Sequence, residues 1–451
     1  MNRKPALCVA FAGVLALASC SSEPEPSWRP PQPIKVQGGK GCFSYARSYM
    51  AWGSTPMKSR PAAVLARDGD ILGCEENGVF RYRESDGYVL SLAADETTVK
   101  LRDRAVGLRL SKKDEGWNWL KETQKKQLAR LRFVEFADDA DFSRPLVEKL
   151  AEANPHIGLA LDSPKLAAQV LPLFHPRALL GGKFLFESDA ASLLPQLDRC
   201  EFLVIEAPKS EEKNPQRLQF LARLPKLRSL VILNWRPEAD GPVPAECRQL
   251  RALTVVSEGL KDLAAFGGFT KLRELRLNRS KELADVAALA SLPALKELSL
   301  VGCEKLADLA PLKKLPELEC LSLPPGVTQA QFAEIVADHP KLRVLELIDC
   351  KGVSDLSPLR GLRTLEALIL IGVEAGRAPL YEMKGLRLLV LDKKVFEKSE
   401  DEVRKLEDAL PTCLVVAGEG MCLGSGWLVL LVPLCGAAWL LSSRRRRRLA
   451  A

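Results

Sequence analysis

The sequence has few of the residues that most enzyme active sites use. Among 451 residues there are only 3 histidines, and none has a Cys or His partner at metal-ligand spacing: His156, His175 and His339. The motifs G-x-S-x-G and H-E-x-x-H and a Gly-rich phosphate loop are also missing. These absences favour a protein that is not an enzyme and needs no cofactor or metal. The alternative is an unrecognised catalytic site within residues 36–115.

An excess of positive charge is missing from most of the chain. Lys and Arg number 65 against 57 Asp and Glu, a net charge of +8. Arg3, Lys4 and the arginines 444–448 supply seven of these cations, and no acid lies in the first 20 or last 8 residues, so the rest of the chain is close to neutral. Nucleic-acid binding requires basic charge gathered on one face. The composition therefore excludes nucleic acid as the expected partner.

The N-terminus has the features of an export signal. Arg3 and Lys4 precede an apolar run over residues 6–17, which leads into Leu-Ala-Ser-Cys at 17–20. This pattern predicts a secretory signal peptide over residues 1–19. Its ending resembles the lipobox of bacterial lipoproteins, which implies that Cys20 is acylated, for example with palmitate, and begins the mature protein. The alternative is a plain secretory signal in which Cys20 has no special role.

A Pro-rich segment over residues 20–35 follows the signal. Its sequence is too polar and too rich in proline to pack, so we expect an extended tether between the lipid anchor and the folded part.

The C-terminal segment, residues 417–451, has the features of a membrane anchor. Residues 421–441 carry no charge, and Arg444, Arg445, Arg446, Arg447 and Arg448 follow. The apolar run can cross a bilayer as a transmembrane helix, and the arginines should stay in the cytoplasm. Together with Cys422 and its Gly-rich surroundings, the tail resembles bacterial sorting tails such as MYXO-CTERM, which implies processing near the Gly or Cys. A plain single-span anchor is the alternative; both place the body in the periplasm or at the cell surface.

The second half of the chain repeats the pattern L-x-x-L-x-L (with Ile or Val at the last position in some copies). Eight copies, 21 to 24 residues apart, begin at Leu227, Leu250, Leu272, Leu295, Leu318, Leu342, Leu365 and Leu386. This period is typical of leucine-rich repeats, in which each unit supplies one short strand and neighbouring units bury its leucines. We therefore expect an α/β solenoid with parallel strands on its concave face and short turns and helices on its convex face.

The second half of the repeat carries a recurring aspartate. It precedes an apolar residue at Asp262, Asp285, Asp308 and Asp355. These units resemble the short repeats of internalin-like proteins, which implies a convex side made of tight turns. We expect each Asp to accept backbone N–H groups at such a turn. Residues 328–339 depart from this pattern and predict a helix, while Cys303 and Cys350 are interpreted as buried thiols rather than metal ligands.

The repeats weaken towards the N-terminus. Residues 221–416 form the regular repeats with a C-terminal cap, and 116–220 are expected to hold a helix and irregular repeats, including strands at 157–161 and 184–186. Residues 36–115 predict a small β-rich module with a turn at Asn77-Gly78. Its cysteines, Cys42 and Cys74, are expected to form a disulfide in an exported protein, and two free buried thiols are the alternative.

The residues between the leucines of each strand should face the concave side, because side chains alternate along a strand. In the middle units we expect an ordinary solvated surface made of Glu274, Arg276, Glu297 and Ser299. In the later units an apolar patch is predicted to bind a protein or an envelope polymer: Glu346, Ile348, Ile369, Ile371, Leu388 and Val390. The alternatives are that the cap covers these residues, that the register is shifted, or that the protein is architectural and acts through its N-terminal module.

The lipobox resemblance generates the first prediction. Cys20→Ala should abolish metabolic labelling of the protein by a clickable palmitate analogue, because the substitution removes the thiol to which the lipid is attached. The measurement is in-gel fluorescence of the immunoprecipitated protein. Labelling that persists in the variant would contradict the assignment.

Overall fold

The computed structural model describes residues 116–418, apart from 130, 132, 139, 209–212, 387, 393–394, 396–398 and 412, together with 33–34, 44–45, 74–76, 79–81, 105–110 and 112. The signal peptide, Cys20, Cys42 and the tail with Cys422 and the arginines 444–448 lie outside the described residues, as do most of the tether and of the β-rich module. Within the described part, no helix combines the length and the hydropathy needed to span a membrane.

One long sheet organises the described chain, and its sixteen described strands follow one another in sequence order. They are β3 Cys74–Glu76, β4 Val79–Arg81, β5 Ala105–Leu110, β6 Phe133–Phe136, β7 Gly158–Leu161, β8 Ala178–Gly181, β9 Phe202–Glu206, β10 Ser229–Leu233, β11 Ala252–Val256, β12 Glu274–Asn278, β13 Glu297–Ser299, β14 Cys320–Ser322, β15 Val344–Ile348, β16 Ala367–Ile371, β17 Leu388–Asp392 and β18 Leu414–Gly418. A separate antiparallel pair consists of β1 Pro33–Ile34 and β2 Ser44–Tyr45.

Helices connect the strands. The α-helices are α1 Gly116–Glu122, α2 Lys125–Leu128, α3 Arg144–Ala153, α4 Pro164–Val170, α5 Pro237–Asp240, α6 Gln329–Asp338 and α7 Glu400–Ala409. Short 3-10 helices occupy Leu171–Leu173, Lys183–Phe186, Ser188–Ser192, Leu194–Leu197, Gln219–Arg223, Ala245–Gln249, Ala264–Phe266, Ala287–Ser291, Ala310–Lys314, Ser357–Gly361 and Ala378–Glu382.

The repeated leucines form the core of the solenoid. The central leucine of each regular strand pairs in register with the same leucine of the next, in a column that runs through Leu230, Leu253, Leu275, Leu298, Leu321, Leu345, Leu368 and Leu389. Every one of these side chains is fully buried. From β5 onward all pairings are parallel, which confirms the expected solenoid.

The parallel ladder begins earlier than the leucine pattern indicates. β5 lies within the range assigned to the β-rich module, yet it pairs in parallel with β6. On its other side β5 pairs antiparallel with β4, and β4 pairs antiparallel with β3; Asn77 and Gly78, where a turn was predicted, lie outside the described residues. The described part of the module therefore extends the solenoid's sheet and covers the edge of β5, as sheet edges commonly require.

One expected strand is a helix. Residues 183–186 form a 3-10 helix, and the strand of that unit is β8, which ends at Gly181. Gly181 and Gly182 both have positive φ, so the chain turns sharply out of the sheet before Phe184. Phe184 is buried, but as part of the connection between strands rather than within a strand.

The recurring aspartates are turn caps, as predicted. In each case a carboxylate oxygen accepts the backbone N–H two residues later, and the donors are Ala264, Ala287, Ala310 and Ser357 at 2.7 to 2.9 Å. Each donor is the first residue of its 3-10 helix, and one apolar residue separates it from the Asp. The N–H bonds also lower the pKa of the Asp355 carboxyl.

The helical unit joins its neighbours by side chains. α6 begins after Thr328 and confirms the helix predicted over 328–339. The Gln329 side chain accepts the backbone N–H groups of Ser354 and Asp355 at 2.9 and 3.0 Å and donates to the Asp355 carbonyl at 3.0 Å. On the other side, the Gln331 amide donates to the Ala307 carbonyl at 2.7 Å. Two glutamine amides thus bind backbone groups of the turns on both sides.

These hydrogen bonds predict that Gln329 contributes more to the stability of the solenoid than its half-buried position indicates. Gln329→Ala removes three hydrogen bonds to the next unit and should lower the free energy of unfolding by roughly 1–3 kcal/mol, measured by urea denaturation. The matched control is Gln169→Ala, at an exposed position of α4, which should change it by less than about 0.5 kcal/mol. Equal effects of the two substitutions would contradict the bridging role.

Candidate functional site

The candidate site is the sheet face opposite the leucine column, here called the concave face. Its central column contains one residue from each regular strand, aligned by the register of the ladder: Val231, Thr254, Arg276, Ser299, Ser322, Glu346, Ile369 and Val390. Arg276, Ser299, Glu346, Ile369 and Val390 therefore lie on the predicted face, and the alternative of a shifted register is excluded.

In the middle units this face holds a buried ionic cluster. Arg276 Nε donates to Glu297 Oε1 at 3.0 Å, and Arg276 Nη2 donates to the same oxygen. A second carboxylate, that of Glu274, lies 3.8 Å from Nη2. Arg276 is 1% exposed, Glu297 is 0% exposed and Glu274 is 6% exposed. Opposite charges in direct contact offset the loss of hydration, which makes burial of these groups possible.

The expectation of a solvated surface at these positions was wrong. Glu274, Arg276, Glu297 and Ser299 are all buried. The physical reason is that alternation along a strand determines which face a side chain occupies, but not whether solvent reaches that face. A signal in the sequence could have revealed the pair, since Arg276 and Glu297 have opposite charges in adjoining strands of successive repeats.

Further along, the central column becomes first polar and then apolar. The Ser322 hydroxyl donates to the Glu346 carboxylate, and Glu346 is 5% exposed. Glu346 pairs in register with Ile369, which pairs with Val390. The sheet thus brings three of the predicted binding residues into one column, with Ile348 and Ile371 paired in an adjacent column. Leu388 begins β17 and pairs with Ala367.

The predicted apolar patch exists but is not an exposed surface. Ile369 and Val390 are 1% and 0% exposed, and Ile371 is also buried. Ile348, at the carboxyl end of β15, is half-exposed. The predicted exposure was therefore wrong for Glu346, Ile369, Ile371 and Val390, for the same reason as in the middle units. Whether the patch binds a partner remains a prediction.

The cysteines of the ladder are buried thiols, as interpreted from the sequence. Cys303 donates to the Leu277 carbonyl at 3.1 Å, and Cys350 donates to the Pro324 carbonyl at 3.5 Å. Burial raises the pKa of both thiols to about 12, so they stay protonated and unreactive at neutral pH. Among the described residues no group of three or more His, Cys, Asp or Glu side chains could hold a metal ion. Cys74 lies in β3, and its predicted partner Cys42 is outside the described residues.

The three histidines each contact a neighbouring unit. His156 Nδ1 lies 2.9 Å from the His175 carbonyl, and His175 Nδ1 lies 2.7 Å from Asp198 Oδ1. The hydrogen bond from His175 lowers the pKa of Asp198. His339 is buried, with its ring nitrogens 2.8 and 3.0 Å from the carbonyls of Ile335 and Leu312. All three therefore link successive units of the solenoid.

Comparison with known proteins adds a resemblance at the level of solved structures. No family model matches the sequence, and no curated protein is significantly similar to it. The chain is similar to an internalin from Listeria monocytogenes strain 4b F2365, with 16% identity over 70% of this chain and 88% of that chain and a TM-score of 0.34. It is similar to internalin C2 of the same strain, with 22% identity over 44% of this chain and 83% of that one and a TM-score of 0.31.

The buried leucine column and the parallel strands in sequence order are those of a leucine-rich repeat solenoid.

The burial of Ile369 changes what a substitution there should do. Ile369→Asp places a carboxylate in a buried position in register with Glu346, so it should lower the free energy of unfolding by roughly 3–5 kcal/mol. Ile348→Asp, at the half-exposed end of the adjoining strand, is the matched control and should cost less than about 1 kcal/mol. Urea denaturation measures both. If the Ile369 variant were as stable as the Ile348 variant, the concave face would be open to solvent after all.

Proposed function

We propose that this protein is a membrane-anchored leucine-rich repeat protein of the bacterial cell envelope that binds a protein partner through the concave face of its later units. The observation that carries the proposal is the chemistry of that face. Ile369 and Val390 are large apolar side chains on the side of the sheet that the leucine core does not use. Because the leucines already supply a core, these side chains form a second apolar layer, and the half-exposed Ile348 is where that layer reaches solvent and where a partner would make contact.

The accessible border of this surface lies at the carboxyl ends of the strands. Ile348 ends β15, pairs with Ile371 at the end of β16, and is half-exposed. In the middle units the same face carries the buried Arg276–Glu297 ion pair in place of apolar side chains. A partner that recognises the later units would therefore approach at Ile348. Glu346 lies two residues earlier in the same strand and on the same face.

Anchoring and location belong to the same proposal. The lipobox-like sequence at Cys20 and the apolar tail followed by the arginines 444–448 support attachment to a membrane at both ends. The body would then face the periplasm or the cell surface, and an envelope polymer is the alternative partner. The scarcity of histidine and of catalytic motifs supports a binding protein rather than an enzyme.

An architectural role is the second candidate, and one observation favours it. The β3–β4 hairpin is continuous with the solenoid's sheet through β5, so the described part of the N-terminal module and the array are joined by backbone hydrogen bonds. A module joined in this way would hold the array at a fixed position relative to a membrane anchor.

Site-specific photo-cross-linking tests the binding proposal. A photoreactive amino acid in place of Ile348 should yield a discrete adduct with one protein in living cells, identified by mass spectrometry, because that position borders the proposed surface. The matched control places the same amino acid at Glu334, which is on α6 of the convex side and pairs with Lys313 at 3.0 Å. Identical adducts from both positions, or none from position 348, would contradict the proposal.

A further inference from the structure

The concave face of the middle units is buried, although it carries long charged side chains. Arg276 in β12 and Glu297 in β13 are almost fully buried. Side chains on one face of a sheet touch their lateral neighbours, but their tips reach solvent unless a second layer covers that face. No neighbour of Arg276 in the adjoining strands is longer than an arginine side chain. Its burial therefore requires a layer of atoms above the sheet.

The described helices lie on the opposite side of the sheet. Apolar residues of the connecting helices, such as Leu289, Leu312 and Phe332, belong to the same buried cluster as the leucine column. The cap helix α7 packs against β18 at the end of the stack. The helices that the structure describes therefore do not account for the layer above Arg276 and Glu297.

The layer has to supply positive charge. Among the described residues between β6 and β14, this face buries three carboxylates, those of Glu135, Glu274 and Glu297, beside one cation, Arg276. Each of the four side chains also takes part in a further interaction within the chain. A buried carboxylate is stable only beside hydrogen-bond donors or a cation. The excess of negative charge therefore favours a basic segment of the same chain as the covering layer.

One segment of the chain has this composition. Residues 36–67 contain five cations and no Asp or Glu, together with four aromatic residues. The cations are Lys40, Arg47, Lys58, Arg60 and Arg67, and the aromatic residues are Phe43, Tyr45, Tyr49 and Trp52. The apolar run at 421–441 has no charge to place beside the carboxylates. Charge complementarity thus distinguishes the two candidate segments.

The length of the chain allows this segment to reach the middle units. Cys74 begins β3, the first strand of the sheet, and β12 and β13 lie nine and ten strands further along. That distance is roughly 43–48 Å at the usual strand spacing. Lys58 precedes Cys74 by 16 residues, which extend over roughly 50 Å. A disulfide between Cys42 and Cys74 would not shorten this reach, since Lys58 is also 16 residues from Cys42.

We propose that residues 36–67, here called the cover segment, lie along the concave face of the middle units. Their cations pair with the buried carboxylates of Glu135, Glu274 and Glu297, and their aromatic side chains exclude water from the ion pairs. The chain thus occupies this part of its own concave face, and a ligand of the middle units has to displace the cover segment first. The partner proposed above contacts the later units at Ile348, so neither proposal depends on the other.

Intramolecular photo-cross-linking tests the proposal on the full-length protein purified in detergent. Benzoylphenylalanine at Tyr49 or, in a second variant, at Trp52 replaces one aromatic side chain of the cover segment by another. After irradiation we expect adducts within one chain, mapped by mass spectrometry to peptides that contain β11 to β14. The matched control carries the same amino acid at Trp427, in the apolar tail, and should give no adducts in these strands.

Charge reversal tests whether the cations hold the cover segment in place. Lys40→Glu/Arg47→Glu/Lys58→Glu should lower the adduct yield at least about tenfold, because like charges then face the buried carboxylates. Lys126→Glu/Lys165→Glu/Lys314→Glu makes the same change of charge at exposed positions elsewhere and should leave the yield unchanged.

Four results would overturn the proposal. Two of them are the absence of adducts in β11 to β14 from both Tyr49 and Trp52, and an equal loss of yield in the two triple variants. Adducts that join two copies, seen as a band of twice the mass, would assign the face to a second copy of the chain. Adducts in these strands from Trp427 would assign it to the apolar tail.

Discussion

The structure depends on one constraint: a single leucine-rich unit cannot bury its own leucines. Each strand contributes a few apolar side chains, and only the units before and after it can cover them. The fully buried column from Leu230 to Leu389 shows this dependence continued through every regular unit. The turn caps at the aspartates, the amides of α6 and the histidine contacts all act between or within units that the leucines have already brought together.

Stacking converts the repeat period of the sequence into proximity in space. Residues about 23 positions apart become neighbours, so the chemistry of a column can be compared from unit to unit. The concave column passes from the Arg276–Glu297 pair to hydroxyls and then to Ile369 and Val390. The informative positions in this column are those where the chemistry of the side chains changes from one unit to the next.

Much of this fold could be predicted from the sequence, because its determinants repeat. The strand positions, the aspartate caps and the helix at 328–339 each depend on a pattern within one unit. The start of the ladder at β5 could not be found in this way, since that strand lacks the leucine spacing. Phe184 could not be placed either, because a buried aromatic fits a strand and a connection equally well, and the turn at Gly181 and Gly182 decides between them. The site was harder still: the face occupied by Ile369 follows from alternation, but its burial is a tertiary property.

The glutamine amides of α6 have a consequence for how this array can change in evolution. Between ordinary units the core contacts are made by backbone groups and by leucines, which recur from repeat to repeat. Recombination that adds or removes whole ordinary repeats therefore restores equivalent contacts at the new junction. The helical unit is different, because Gln329 and Gln331 bind particular backbone groups on either side. A unit gained or lost next to α6 must therefore supply a turn whose backbone groups can take these hydrogen bonds.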